Sequence, residues 1–69
     1  MSVLRGRVAA FDEHRGLGEV AEPDGRAAPF HCTAIADGTR TIPVGTDVEF
    51  RLVNGPIGLM EATDIRRVR

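Results

Sequence analysis

The amino-acid sequence predicts an all-β fold, a small barrel of five strands in a single domain that spans residues 1–69. Apolar and polar side chains alternate at period 2 in five segments, which follow one another at a spacing of roughly ten residues with turn-forming residues between them. A chain of 69 residues leaves no material for a second core. These observations favour one compact β domain over a helical or two-domain protein.

The first three strands are expected between residues 4 and 32. In the first, residues 4–11, alternation separates two faces: Leu4, Gly6, Val8 and Ala10 on one, and Arg5, Arg7, Ala9 and Phe11 on the other. Residues 17–20 form a short second strand, which ends before a Pro-Asp-Gly turn at residues 23–25. Residues 28–32 form the third strand, whose proline favours an edge of the sheet or a bulge.

The last two strands are expected between residues 47 and 68, after a single helical turn at residues 33–36 and a tight turn at residues 42–45. Residues 47–53 show the clearest alternation, and residues 60–68 form the final strand after a loop at residues 54–58. In that final strand, Ala62 and Ile65 are the core candidates. The inward halves of all five strands predict one core: Val8, Val20, Phe30, Val48, Phe50, Leu52 and Ile65.

The positive and negative charges are nearly equal in number, and all of the basic residues are arginine. Nine arginines stand against ten acidic residues, the chain has no lysine, and the formal net charge is −1. This balance does not indicate a strongly basic nucleic-acid-binding protein, although arginine pairs and stacks in ways that lysine does not. No apolar run approaches the ~18 residues of a membrane span, and the N-terminus has no apolar leader segment. We therefore expect a cytoplasmic protein with no membrane partner.

The sequence offers little material for catalysis, cofactor binding or metal binding. His31 and Cys32 are adjacent, so on a strand they point to opposite faces and cannot act as a nucleophile and its base. The carboxylates of Asp12 and Glu13 lie in a predicted turn, with no apolar pocket to raise the pKa of either. One cysteine and two histidines cannot supply a four-ligand structural zinc site. We expect a protein that is not an enzyme and needs no cofactor.

A series of short motifs runs along nearly the whole chain, with the order and spacing found in one known family. The motifs are Gly6-Arg7-Val8, Phe11, Arg15-Gly16-Leu17-Gly18-Glu19-Val20, Phe30-His31, Thr33-Ala34-Ile35, Gly45, Val48 and Phe50. Together they resemble the cold-shock domain. The resemblance implies a five-stranded OB-type barrel that binds single-stranded DNA or RNA through two motifs on neighbouring strands.

Most of the family's stacking aromatics are absent from these two motifs. The family sequence Lys-Gly-Phe-Gly-Phe-Ile is replaced at residues 15–20, where Leu17 and Glu19 take the places of both phenylalanines. The family sequence Val-Phe-Val-His-Phe is replaced at residues 28–32, where Pro29 and Cys32 do the same, and Ala10 stands where the family has tryptophan. Stacking contributes about 1–3 kcal/mol per base, so these replacements predict weak binding.

We predict weak, salt-sensitive binding of single-stranded RNA or DNA, with arginine and histidine in place of an aromatic platform. The expected contacts are Arg7, Phe11, Arg15, Leu17, His31 and Arg40. Arg5 and Arg7 are expected on the strand face that carries Phe11. Simpler interpretations stay open: the arginines form only a solvated face, Phe11 is partly buried, and His31 is exposed without a role.

A second function class is a protein-interaction barrel that has lost nucleic-acid binding, with a homodimer as one form of it. This alternative depends on an uncharged apolar surface patch, which is typical of an interface. The residues that would form the patch are Leu17, Pro29, Ile57 and Leu59.

Overall fold

The computed structural model describes residues 3–55 and 60–68, and five antiparallel strands form one sheet in the order β3-β2-β1-β4-β5. The strands are β1 (Leu4–Asp12), β2 (Leu17–Ala21), β3 (Ala27–His31), β4 (Asp47–Asn54) and β5 (Met60–Arg67), with one 3₁₀ turn at Cys32–Ala34. This architecture confirms the all-β prediction. Residues 56–58 of the expected loop, and residue 59 after it, lie outside the described residues. The described part of the chain has no helix long and apolar enough to cross a membrane.

The core contains six of the seven residues predicted for it and several that alternation did not identify. Its buried members are Val8, Val20, Ala28, Phe30, Ile35, Ile42, Val48, Phe50, Ala62 and Ile65. Leu52 was predicted to be buried but is only half-buried, because it lies near the end of the β4–β5 hairpin, where its neighbour Val53 is exposed. Ile35 and Ile42 come from segments outside the strands. Ile35 forms a parallel bridge with Ile65, which closes the barrel next to β5.

A β-bulge in β1 changes which of its side chains face the core. Val8 pairs with Val20, but the next pair is Ala10 with Glu19, so β1 carries one extra residue at this point. One extra residue reverses the alternation beyond it. Phe11 is therefore turned towards the core, and the prediction that it shares the outer face of Arg5 and Arg7 is wrong. For the same reason Ala10 is exposed rather than on the face of Val8.

The phenylalanine rings of β1 and β3 meet across a glycine in β2. Phe11, Gly18 and Phe30 are cross-strand neighbours, and the two rings stack with centroids 5.9 Å apart and an interplanar angle of 17°. A Cβ atom on Gly18 would lie 2.7 Å from Cζ of Phe30 and 2.6 Å from the carbonyl oxygen of Ala10. Only glycine allows this close approach. Phe30 is buried as a result, and Phe11 is half-buried against it.

Pro29 occupies an edge of the sheet, as its position in the sequence predicted. Among the described strands, β3 has a ladder only with β2. The Cys32 amide donates to the carbonyl of Gly16 and the Glu22 amide donates to that of Arg26. Hydrogen-bonded and non-hydrogen-bonded pairs alternate in an antiparallel ladder, so the Pro29–Glu19 pair is of the second kind. The side of Pro29 that lacks an N–H therefore points away from β2, and no ladder bond is lost.

Replacing Phe30 tests this packing. The variant Phe30→Ala is expected to lose about 3–5 kcal/mol of unfolding free energy, because the cavity beside Gly18 cannot be filled by Phe11 alone. Because the core of a domain this small rarely supplies more than about 3–5 kcal/mol of net stability, urea denaturation followed by circular dichroism should show a largely unfolded or barely folded protein. The control Leu17→Ala, at an exposed position of β2, should change stability by only about 0.5 kcal/mol. Wild-type stability in Phe30→Ala would contradict the described core.

Candidate nucleic-acid interface

The outer face of β1, β2 and β3 presents three cross-strand rows of side chains. Strand pairing gives the rows as Arg7–Ala21–Ala27, Ala10–Glu19–Pro29 and Asp12–Leu17–His31. Leu17 is 45% exposed and directly opposite the exposed His31. The middle row carries Glu19, which has no ion-pair partner among residues 3–55 and 60–68. The face therefore offers one large apolar side chain opposite one imidazole, with a carboxylate in the middle row that has no ion pair among the described residues.

The His31 ring is held in place by the turn that follows it. Its Nδ1 accepts a hydrogen bond from the Thr33 amide at 3.2 Å and lies 3.0 Å from the Thr33 hydroxyl. The side chain thereby caps the 3₁₀ turn at Cys32–Ala34. Because Nδ1 accepts the amide proton, the neutral ring carries its own proton on Nε2. A ring fixed in this way loses little conformational entropy when a base or phosphate binds to it.

The turn between β1 and β2 places Arg15 beside this face. The Asp12 carboxylate accepts from the amides of His14 at 3.0 Å and Arg15 at 3.3 Å, which folds the turn locally. Gly16 follows at φ +66°, and a Cβ there would lie 2.9 Å from Sγ of Cys32. The glycine therefore lets the turn pack directly against the segment after β3.

Two of the predicted arginine contacts are already paired with carboxylates. Nε of Arg7 lies 3.1 Å from Asp47, and Nε of Arg15 lies 4.0 Å from Asp12. Both arginine side chains are well exposed, at 67% and 76%. Exposed pairs of this kind are worth only about 0–1 kcal/mol. A phosphate can therefore replace the carboxylate at small cost, but the face has little net positive charge.

Arg40 differs from the other arginines that the structure describes, because it has no ion pair within those residues. It lines a shallow pocket together with His31, and the other lining residues come from the 3₁₀ turn and the loop after it: Cys32, Thr33, Ile35, Gly38 and Thr39. The structure thus brings Leu17, His31 and Arg40 into one region. Arg15 flanks that region, Arg7 lies two rows away, and Phe11 reaches it only from the core side.

The apolar patch of the alternative prediction is only partly described. Leu17 and Pro29 are exposed on neighbouring strands, but they belong to different rows and Glu19 shares the row of Pro29. Ile57 and Leu59 lie outside the described residues. Within the described part, the surface around Leu17 is therefore mixed in character rather than uncharged.

The sequence analysis missed a set of hydrogen bonds that holds the loop of Arg40. We name it the Arg67 clasp; it consists of Asp37, Thr39, Thr41 and Arg67. Nε of Arg67 donates to Asp37 at 3.0 Å, and its Nη2 donates to the Thr39 hydroxyl and the Thr41 carbonyl, each at 3.2 Å. The partners are up to 30 residues away in sequence, so no local spacing pattern could have indicated them.

The clasp strongly stabilises the ionised form of Asp37. Hydrogen bonds to the Asp37 carboxylate lower its pKa from 3.8 to about 2. The bond from the Thr39 hydroxyl has the largest effect, followed by the bond from the Thr39 amide and then by the bond from Arg67. A carboxyl whose pKa is lower in the folded than in the unfolded state stabilises the fold above its unfolded pKa. This contribution is complete above about pH 4 and is lost as the pH falls towards 2.

Replacing Asp37 tests the clasp through pH. In the variant Asp37→Asn the contribution is absent at every pH, so its Tm should be lower than that of the wild type at neutral pH. Between about pH 4 and pH 2 the two Tm values should converge, because protonation removes the same interaction from the wild type. The control Glu13→Gln, at an exposed position, should keep the wild-type pH profile. A constant gap between wild type and Asp37→Asn down to pH 2 would contradict the assignment.

The side chains of His31 and Cys32 are not arranged as the sequence predicted. β3 ends at His31 and Cys32 begins the 3₁₀ turn, so the two side chains do not point to opposite faces: Sγ lies 3.9 Å from Nδ1 of His31. That distance is longer than the 2.6–3.2 Å typical of a nucleophile and its base, and Thr33 already occupies Nδ1. Among the described residues, no three His, Cys, Asp or Glu side chains form a metal site.

Comparison with known proteins identifies the family. No family model matches the chain. The chain is 38% identical over 60 residues to the cold shock-like protein CspE of Escherichia coli, a match that covers 84% of this chain and 87% of that protein. The chain belongs to the cold shock-like protein family. The CspE protein of Buchnera aphidicola subsp. Acyrthosiphon pisum is 37% identical over 60 residues, which again cover 84% of this chain and 87% of that protein.

A solved structure agrees with this family in fold. The chain superposes on drosophila Unr CSD456 with a TM-score of 0.80 and 23% identity, over 99% of this chain and 27% of that larger one. The likeness confirms the cold-shock, OB-type barrel. Cold-shock domains are nucleic-acid-binding proteins and not enzymes, so the general function of this chain is nucleic-acid binding.

Proposed function

We propose that residues 1–69 act as one domain that binds single-stranded RNA or DNA weakly in the cytoplasm. The observation that carries the proposal is the exposed Leu17–His31 pair, whose imidazole is fixed by Thr33. Arg40, which has no ion pair within the described residues, lines the same pocket as His31. Leu17 and His31 would contact bases, and the half-buried Phe11 would contribute only through the part of its side chain that Phe30 and the core leave accessible. Arg7, Arg15 and Arg40 would contact phosphates.

The arrangement supports weak rather than tight binding for two reasons. Ala10, Leu17, Glu19 and Pro29 present no aromatic ring on the outer face, so the roughly 1–3 kcal/mol that each stacked base typically contributes is largely missing. The Glu19 carboxylate, which has no ion pair within the described residues, also repels phosphate, by roughly 1 kcal/mol at about 4 Å in water and less in salt. What remains is mainly counterion release by arginine, which salt suppresses.

Salt titration tests the electrostatic part of the proposal. For single strands the slope of log K against log salt is about −0.7 per phosphate neutralised, so three arginines should give a slope near −2 with a labelled oligonucleotide. The variants Arg7→Gln and Arg15→Gln should each flatten the slope by about 0.7 and weaken all sequences alike. The variant His31→Ala should weaken binding with a smaller change in slope than either arginine variant, because its expected contact is with a base rather than with a phosphate.

A matched control variant shows whether the change in salt slope depends on the position of the arginine or only on the loss of one positive charge. Arg66→Gln removes an arginine that is paired with Asp64 of its own strand rather than with a residue of the proposed face, and should leave the slope unchanged. If the wild type binds no single strand even at about 20 mM salt, the proposal is rejected. Sedimentation would then test the protein-interaction alternative through a concentration-dependent dimer.

Restoring aromatic side chains tests the position of the face. Ala10 and Glu19 are direct cross-strand partners, so Ala10→Trp with Glu19→Phe places two rings side by side on the outer face and removes a carboxylate. Affinity for a short oligothymidine should rise at least tenfold, because each stacked base adds about 1–3 kcal/mol. The control pair Val53→Trp with Glu61→Phe makes the same change between β4 and β5 and should have no effect. Equal gains from both pairs would indicate non-specific stacking.

A further inference from the structure

The geometry points to Arg67 as a positioning residue that orders the loop of residues 37–41 and thereby presents Arg40 to the nucleic acid. This inference rests on the proposed function and adds to it a role for a residue that belongs to neither binding motif. Arg67 lies at the end of β5, whereas the proposed contacts lie on β1, β2, β3 and the loops next to them.

The hydrogen bonds of the Arg67 clasp enclose Arg40 on both sides. Arg67 donates to the side chains of Asp37 and Thr39 before Arg40 and to the carbonyl of Thr41 immediately after it. The Thr39 amide and hydroxyl also donate to Asp37, at 3.0 and 2.7 Å. These bonds fix the backbone on each side of Arg40, while its own side chain is exposed and has no ion pair within the described residues.

The charge of Arg67 is already used within the domain. Its Nε lies 3.0 Å from Oδ2 of Asp37. The Arg67 side chain is 36% exposed, which is the lowest value among the arginines that form ion pairs within the described residues. All three of its recorded hydrogen bonds are to the loop. A phosphate that bound to Arg67 would have to displace Asp37 and release the loop. Arg67 is therefore expected to affect binding through loop order, whereas Arg40 would neutralise a phosphate directly.

A double-mutant cycle separates these two roles. Affinity for a labelled oligothymidine and its salt slope would be measured for the wild type, Arg40→Gln, Arg67→Gln and the double variant. Arg40→Gln should flatten the slope by about 0.7. Arg67→Gln should keep the slope but lower affinity about threefold, as when the competent loop conformation falls to roughly a third of the population. In the Arg40→Gln background, Arg67→Gln should have no further effect, because a positioning residue acts through its target.

Two further measurements make the test robust. Hydrogen exchange should show faster exchange of the Thr39 amide in Arg67→Gln but not in Arg66→Gln, a neighbouring arginine paired with Asp64 outside the loop. If Arg67→Gln does not fold, Thr39→Val removes the hydroxyl that joins Asp37 to Arg67 without removing a charge, and should show the same pattern with a smaller loss of affinity.

The outcomes distinguish this inference from the proposed function. A slope that flattens in Arg67→Gln as much as in Arg40→Gln would show direct phosphate contact and overturn the positioning role. Additive losses in the double variant, or unchanged exchange of the Thr39 amide, would overturn it as well. In each of those cases the wild type still binds, so the proposed function stands. Absence of wild-type binding at every salt concentration would reject the proposed function and this inference together.

Discussion

The packing of the Phe30 ring against Gly18 is the constraint on which the rest of the barrel depends. The ring occupies space that a Cβ at position 18 of β2 would fill, at 2.7 Å from Cζ, and the Phe11 ring stacks on it. The bulge after Val8 is what turns Phe11 to this position. Because side chains alternate along β2, Gly18 on the inside requires Leu17 and Glu19 on the outside. The core and the candidate interface are therefore two sides of the same three strands.

The strands could be predicted from the sequence because each has a clear alternation and a turn at its ends. Phe30, Phe50 and Ile65 were located in this way, and the edge position of Pro29 followed from its missing N–H. The bulge could not be predicted, since Val8, Ala9 and Ala10 carry no signal that separates a regular strand from a bulged one. Ile35 and Ile42 were missed because they lie outside the strands, where alternation has no meaning.

The candidate site was predictable in part for a related reason. His31 was placed on the outer face by alternation within β3, and the structure shows it exposed there. The Arg67 clasp joins residues up to 30 positions apart, and only the closed barrel brings them together. The pairing of Arg7 with Asp47 is likewise a cross-strand contact between β1 and β4. A balanced charge count gave no indication of which arginines would be paired and which would not.

Pro29 has a consequence for how this domain meets other chains. β3 is an edge strand, and Pro29 at the centre of β3 has no N–H to donate to a partner strand. Another chain that extended the sheet at this edge would form an interrupted ladder, which is how natural β proteins limit edge-to-edge aggregation. Pro29 stands where the family has phenylalanine. It therefore leaves the outer face without an aromatic ring at this position and also protects the sheet against strand addition. With Pro29 at its centre, β3 is unsuited to joining two copies of the barrel by strand pairing.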